Sequence, residues 1–172
     1  YTFLALLPGY QERNTSSLIY MVQKLMQISQ KKYNGFFLYD HDTLYKRLTE
    51  LEEKDELVIL FGVSFALMDF FESYRLQLKN TILIETGGMK GRKQEITKEE
   101  LHYLLKKGSG LNHIHSEYGM TELLSQAYSK TDNNYFSSPW MKVLIRDPND
   151  PFEYLETGKT GGINVIDLAN LH

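Results

Sequence analysis

Apolar residues in this chain follow two rhythms. Short continuous runs cover Thr2 to Leu7, Gly35 to Tyr39, Leu57 to Phe61, Thr81 to Glu85 and Leu111 to Ser116. Between them lie longer stretches in which apolar residues recur at helical spacing. Leu18, Met21, Val22, Leu25 and Ile28 predict a helix over Ser16 to Ser29, with Asn14, Thr15 and Ser16 available as caps. Leu44, Leu48 and Leu51 predict a second over Thr43 to Glu53, and Phe65, Met68, Phe71 and Tyr74 a third over Ser64 to Leu78. Thr97, followed three residues later by Glu100, is a capping box that opens a fourth helix, which Gly108 closes. A brief fifth helix is expected over Thr121 to Tyr128. Strands alternating with helices predict a parallel sheet joined by right-handed crossovers. After Asp132 the texture changes. Met141 to Arg146 and Gly162 to Leu168 read as strands, with turns at Pro148 to Pro151 and Gly158 to Gly162 between them. The expected fold is α/β: a three-layer parallel sheet with flanking helices over residues 1–132, then a β-rich portion over 133–172 that is either a second sheet or the sheet's continuation, a choice that periodicity does not decide.

Composition narrows the function classes. The 172 residues are 42% hydrophobic and 24% charged, ordinary for a globular domain and enough to bury a core without disulfides. Nineteen basic and 22 acidic residues leave a net charge of −3, which argues against a nucleic-acid or anionic-membrane binder. With no cysteine there is no disulfide, no thiolate metal site and no cysteine nucleophile. No apolar run reaches the roughly 20 residues of a membrane span, and the start lacks the basic segment of a signal peptide. The sequence opens at Tyr1 directly before an apolar run and stops at His172 just after another, so a piece of a longer chain is expected.

Open parallel sheets bind ligands at the carboxyl ends of their strands. Those ends here are Pro8-Gly9-Tyr10, Asp40-His41-Asp42, Gly62-Val63-Ser64, Thr86-Gly87-Gly88 and Ser116-Glu117-Tyr118-Gly119. Gly87-Gly88 has no β-carbon to keep a flat ligand from the backbone, although most such pairs are plain turns. Tyr118-Gly119-Met120-Thr121-Glu122 gathers a ring, a glycine, a hydroxyl and a carboxylate at an expected strand-to-helix junction. The ring can stack on a base, the hydroxyl and helix-start N–H groups can hold phosphate, and the carboxylate can hold Mg²⁺. The alternative is a core-packed Tyr118 with Thr121 and Glu122 merely opening a helix.

Ser116-Glu117-Tyr118-Gly119-Met120-Thr121-Glu122 resembles the Tyr-Gly-x-Thr-Glu motif of the adenylate-forming superfamily, which includes acyl-CoA synthetases, luciferase and phenylacetate-CoA ligase. Gly87-Gly88 matches that superfamily's upstream Gly-Gly element. Leu7-Pro8-Gly9-Tyr10, Ser16-Ser17-Leu18-Ile19-Tyr20-Met21, Glu85-Thr86-Gly87-Gly88-Met89-Lys90-Gly91 and Val165-Ile166-Asp167-Leu168-Ala169-Asn170 resemble the acyl-protein synthetase family of bacterial bioluminescence. The resemblance extends over essentially the whole chain and implies that residues 133–172 are a β-rich extension of the same large domain as residues 1–132. It implies ATP and Mg²⁺ as cofactors, a carboxylic (fatty) acid substrate activated as acyl-AMP, transfer to a protein cysteine, an acyl-reductase partner protein and a cytoplasmic location. Carried over by motif, Tyr118 stacks on adenine, Thr121 contacts the α-phosphate, Glu122 holds Mg²⁺, Gly119 belongs to the nucleotide site, and Gly87 and Gly88 line the adenine and acyl pocket. The Ser/Thr/Gly phosphate loop, the ribose-binding aspartate motif, the acyl-accepting cysteine and the C-terminal lid are missing, so the 172 residues alone are expected to be inactive. Asp167 lies before the ribose position and is not given that role.

Other polar residues have simpler readings. His113 and His115 sit two apart on an expected strand, but no further ligands accompany them; His115 is expected to line or back the nucleotide pocket. Among Asp40, His41 and Asp42, a helix cap by Asp42 is the expected role. Lys90, Arg92 and Lys93 read as a solvated basic loop, Phe65, Phe70, Phe71 and Tyr74 as core with an acyl-chain wall as second choice, and Ser16 and Ser17 as caps. Two rivals remain beside the acyl-protein synthetase reading: a phenylacetate-type CoA ligase, and a non-catalytic nucleotide-binding α/β module.

Overall fold

The computed structural model describes residues 1–7, 16–88, 95–130 and 134–170. The chain divides into two compact units, one of Tyr1–Glu117 with Ser129–Asn134 and one of Tyr118–Tyr128 with Tyr135–His172. Pro8-Gly9-Tyr10, Asn14, Thr15 and the basic loop Lys90, Arg92 and Lys93 lie outside the described residues.

The first unit is the expected α/β layer structure. Strands β1 (Thr2–Leu6), β2 (Gly35–Phe36), β3 (Val58–Val63), β4 (Thr81–Thr86) and β5 (His115–Tyr118) stand in the order β2-β1-β3-β4-β5, every neighbouring pair parallel. Helices α1 (Ser17–Ser29), α2 (His41–Glu53), α3 (Ser64–Ser73) and α4 (Lys98–Ser109) connect them. β1 is buried along its whole length, and β3 and β4 nearly so, as strands covered on both faces must be. That is why they read as unbroken apolar runs. The chain turns back from β2 past β1 to β3, so the strand order reverses between β1 and β3. Ser64, the first residue of α3, stands at the carboxyl end of β3 beside this reversal.

Local chemistry sets the element ends. Ser16 Oγ accepts from Ile19 N at 3.4 Å and caps α1, whose buried face is Ile19, Val22 and Met26; Ile28, expected inside, is exposed. Asp40, not Asp42, caps α2 by accepting from Thr43 N at 3.0 Å. Asp42 instead accepts from the Tyr74 hydroxyl, and His41 meets Phe70 edge-on at 5.7 Å. β2 is shorter than expected. Phe37 folds its ring back over Gly35, and its carbonyl accepts from Asp40 N in the turn that leads to α2. α3 stops at Ser73 because the next apolar residues are used differently. Leu76 N and Leu78 N donate to Gly108 O and Ser109 O, burying both side chains outside any helix. α4 begins as expected with Thr97 accepting from Glu100 N at 3.2 Å, but runs past Gly108 to Ser109 and is closed by Gly110 in the left-handed region (φ 77°).

The second unit holds β8 (Met141–Arg146) and β9 (Gly162–Asp167), the expected pair, joined antiparallel from Met141↔Asp167 to Arg146↔Gly162. Two short strands were not expected, β6 (Ala127–Ser129) and β7 (Tyr135–Ser137). The hairpin leaves Val143, Ile163, Ile166 and Leu168 exposed.

Gly108 tests how α3 and α4 meet. A β-carbon there would stand 2.5 Å from Phe71 Cβ. Helix propensity alone favours Ala over Gly by up to about 1 kcal/mol, whereas overpacking costs about 1–3 kcal/mol. Gly108→Ala is therefore expected to lower the urea midpoint at unchanged m-value. A raised midpoint would show that the helix pair separates easily.

Candidate functional site

The carboxyl ends of β4 and β5 are level. Their ladder runs Ile84↔His115, Glu85↔Ser116, Thr86↔Glu117, and Gly87-Gly88 follows directly on β4. Gly87 is in the left-handed region (φ 68°), a conformation that favours glycine. Gly88 is exposed, and among the described residues Glu95 Oε2, at 3.8 Å, is the atom that would face a β-carbon placed on it.

Beneath it lies a buried polar cluster that the sequence reading did not single out. Glu85 is only 4% exposed, within the otherwise apolar β4. Its Oε1 meets Lys98 Nζ at 3.2 Å and His102 Nε2 at 3.5 Å, both from α4. Its Oε2 accepts from Ser64 Oγ at 3.1 Å. Ser64 Oγ also lies 2.5 Å from Gly87 O, so one hydroxyl proton serves two acceptors. His102 Nε2 is in turn 3.2 Å from Ser116 Oγ. Burial works to raise the Glu85 pKa, but His102, Ser116 and Lys98 outweigh it, and the carboxyl lies below its usual range. Glu117 has the opposite balance. Burial pushes its pKa up, the 2.5 Å bond from Thr86 Oγ1 only partly offsets this, and Glu85 adds repulsion. The signal was present in the sequence: carboxylates in buried strands are rare unless paired.

In the second unit the motif residues are open to solvent. Tyr118 is 38% exposed and meets Tyr135 edge-on, with centroids 6.0 Å apart. Gly119, Thr121 and Glu122 are exposed. The Glu122 carboxylate has no hydrogen bond or ion pair among the described residues; its backbone O accepts from Asn170 Nδ2 at 2.6 Å.

The helix expected over Thr121 to Tyr128 does not form. One turn closes when Leu123 N donates to Met120 O. The next two amides are then captured by Asp167: Leu124 N and Ser125 N donate to its Oδ2 at 3.1 and 2.8 Å. A helix needs those donors for its own carbonyls, and the carboxylate takes them. Ser125 Oγ donates to Asp167 Oδ1 at 2.7 Å and accepts from Trp140 Nε1 at 2.8 Å, while Ala169 N also donates to Oδ1. Burial acts to raise the Asp167 pKa; the bonds from Ser125, Ala169 and Leu124 overcome it, and the carboxyl sits below its ordinary value. Thr121 and Glu122 thus lie in a turn rather than at a helix start, so the helix N-terminal phosphate cradle does not fit this structure.

His115 lines a cleft at the amino-terminal edge of β4 together with Thr81 and His113, away from Gly87. Among the described residues no group of three or more His, Cys, Asp or Glu side chains could hold a metal ion. No helix among them is long and apolar enough to cross a membrane. No protein-family model matches the chain, and no curated protein matches it.

Two outcomes follow from these clusters. Ser125→Ala removes a buried hydroxyl with a donor and an acceptor partner, and is expected to destabilise the second unit by about 1–3 kcal/mol in denaturant unfolding. For Glu117 the folded pKa lies above the unfolded one. The folded state therefore binds more protons, and stability falls as pH rises from the unfolded value through the folded one. Glu117→Gln should abolish that fall and raise the melting temperature at pH 7 by about 2–4 °C, on the order of 1 kcal/mol, with little gain at pH 4.

Proposed function

We propose that this chain is part of an ATP-dependent acyl-adenylating ligase of the acyl-protein synthetase kind. The observation that carries the reading is the ladder of β4 and β5. It ends level at Thr86↔Glu117, and the two motif segments, Gly87-Gly88 and Tyr118 to Glu122, are the next residues along those strands. The left-handed Gly87, the exposed Gly88 and the exposed Glu122 carboxylate support it.

In this reading a carboxylic acid, of the fatty type, attacks the α-phosphorus of ATP through one carboxylate oxygen. The bond to pyrophosphate breaks, and acyl-AMP forms. A cysteine thiolate of a protein then attacks the acyl carbonyl and AMP leaves. Tyr118 is assigned to the adenine face, Gly87 and Gly88 to close approach of adenine and acyl chain, Gly119 to the nucleotide, and Thr121 to an α-phosphate oxygen. Glu122 is assigned to Mg²⁺. Its carboxylate is exposed and has no partner among the described residues, which suits a metal that keeps water and phosphate ligands and takes one or two carboxylates; held there, Mg²⁺ would neutralise phosphate charge. The turn that replaces the helix leaves Thr121 to hold phosphate by its hydroxyl rather than by a helix dipole. Cytoplasmic location, where ATP and reduced thiols are present, and an acyl-reductase partner belong to the same proposal. A phenylacetate-type CoA ligase shares the first half-reaction and differs in the thiol.

One observation favours a second reading, a non-catalytic nucleotide-binding module: no helix N-terminus follows Tyr118. Carboxylate-dependent pyrophosphate–ATP exchange by the complete protein separates the two. Exchange is expected, and Glu122→Gln should lower it on the order of 10²-fold by removing a charge contact to the metal. Exchange unchanged in the variant at limiting Mg²⁺ would take Glu122 out of the site. ATP binding without any exchange would favour the module.

A further inference from the structure

We propose that Ser64 is a positioning residue for ligand binding at the Gly87-Gly88 turn: its hydroxyl fixes the turn through the Gly87 carbonyl, while Glu85 and its partners on α4 serve the stability of the fold. The inference rests on the adenylation reading of that turn and adds to it a residue from another strand-to-helix junction. Register brings the two together. β3 and β4 run parallel, and their last pairs are Gly62↔Glu85 and Val63↔Thr86. One step further along, Ser64 and Gly87 come level. Ser64 is the first residue of α3 and is buried. Gly87 is exposed and in the left-handed region.

A serine at a helix start ordinarily bonds a nearby backbone amide. No side chain caps α3, and the Ser64 hydroxyl is spent on β4 instead, 2.5 Å from Gly87 O and 3.1 Å from Glu85 Oε2. The hydroxyl has one proton for two acceptors, and the carbonyl is the closer. Glu85 does not depend on that proton, because its Oε1 is held by Lys98 and His102. Gly87 is in a different position. A glycine reaches positive and negative φ at similar cost, so a turn that loses this tether visits a wider range of conformations. Gly88 follows directly, and its exposed backbone moves with the turn. In the adenylation reading that backbone meets adenine and the acyl chain, neither of which has a bond that forms or breaks. Loss of the tether therefore weakens ground state and transition state alike, and shows in KM rather than in kcat.

The test compares Ser64→Ala with Glu85→Gln in the complete protein, by carboxylate-dependent pyrophosphate–ATP exchange and by thermal unfolding of the same samples. Ser64→Ala removes the tether and leaves Glu85 with Lys98 and His102. It is expected to raise KM for ATP and for the acid about three- to tenfold, the fold-change of one net hydrogen bond, with kcat within about twofold of the wild type. Glu85→Gln keeps the Ser64 hydroxyl and its bond to Gly87 but removes the charge that Lys98 faces. It is expected to lower the melting temperature more than Ser64→Ala does, and to leave both KM values within about twofold of the wild type. Should Glu85→Gln fail to fold, KM against kcat in Ser64→Ala decides alone. Exchange by the wild type with KM unmoved in Ser64→Ala would overturn the proposal and leave the adenylation reading standing. So would an equal rise of KM in Glu85→Gln, or a fall in kcat at constant KM that follows the loss of folded protein. No exchange by the wild type would overturn the adenylation reading and the role of Ser64 with it.

Discussion

Glu85 is a charge placed in the interior of a parallel sheet, and the carboxyl edge of the first unit is arranged around neutralising it. An unpaired buried carboxylate would be too costly to persist. The cost is met by Lys98 and His102 of α4 and by Ser64 of α3. These contacts tie both helices to β4 at one point, and Ser64 passes the constraint on to the Gly87 carbonyl. Removing Glu85 would take one partner each from the Lys98 ammonium, the His102 ring and the Ser64 hydroxyl, which would keep the Gly87 carbonyl. The backbone exposed at Gly88 is thus held by a polar anchor rather than by apolar packing, which has little direction of its own.

Asp167 plays the corresponding part in the second unit. The apolar core there is small, Leu123, Ala127 and Met141 with Val165 packed against them. Directional bonds do what a larger core does elsewhere. One carboxylate gathers three amides and one hydroxyl from residues more than 40 positions away or two positions on in sequence. The shape of the segment after Tyr118 is set by that long-range capture.

This contrast explains what was legible in the sequence. Elements whose stability is local or periodic were readable: the capping box at Thr97, the stripe Leu44, Leu48 and Leu51, the apolar runs of β3 and β4, and the bounds of β8. Elements decided by a distant partner were not. Nothing near Thr121 announces that Asp167 will take the amides of Leu124 and Ser125. Nothing near Leu76 announces that the end of α4 will accept its N–H. The choice between Asp40 and Asp42 as cap turned on Tyr74, a hydroxyl 32 residues on. In the candidate site, Gly87-Gly88 and the Tyr118 to Glu122 motif were readable as residue types, whereas the Ser64, Glu85, Lys98 and His102 cluster assembles only through the fold.

The outward apolar residues of the β8–β9 hairpin bear on how the protein behaves in a tube. Val143, Ile163, Ile166 and Leu168 face solvent on a two-stranded ribbon, and the isoelectric point of about 6.0 lies close to common buffers. Where net charge vanishes, long-range repulsion between molecules vanishes with it, and short-range sticking through such a ribbon goes unopposed. Colloidal stability should therefore be poorest in mildly acidic solution and recover on either side, a dependence set by the whole molecule's charge and not by the titration of any one group.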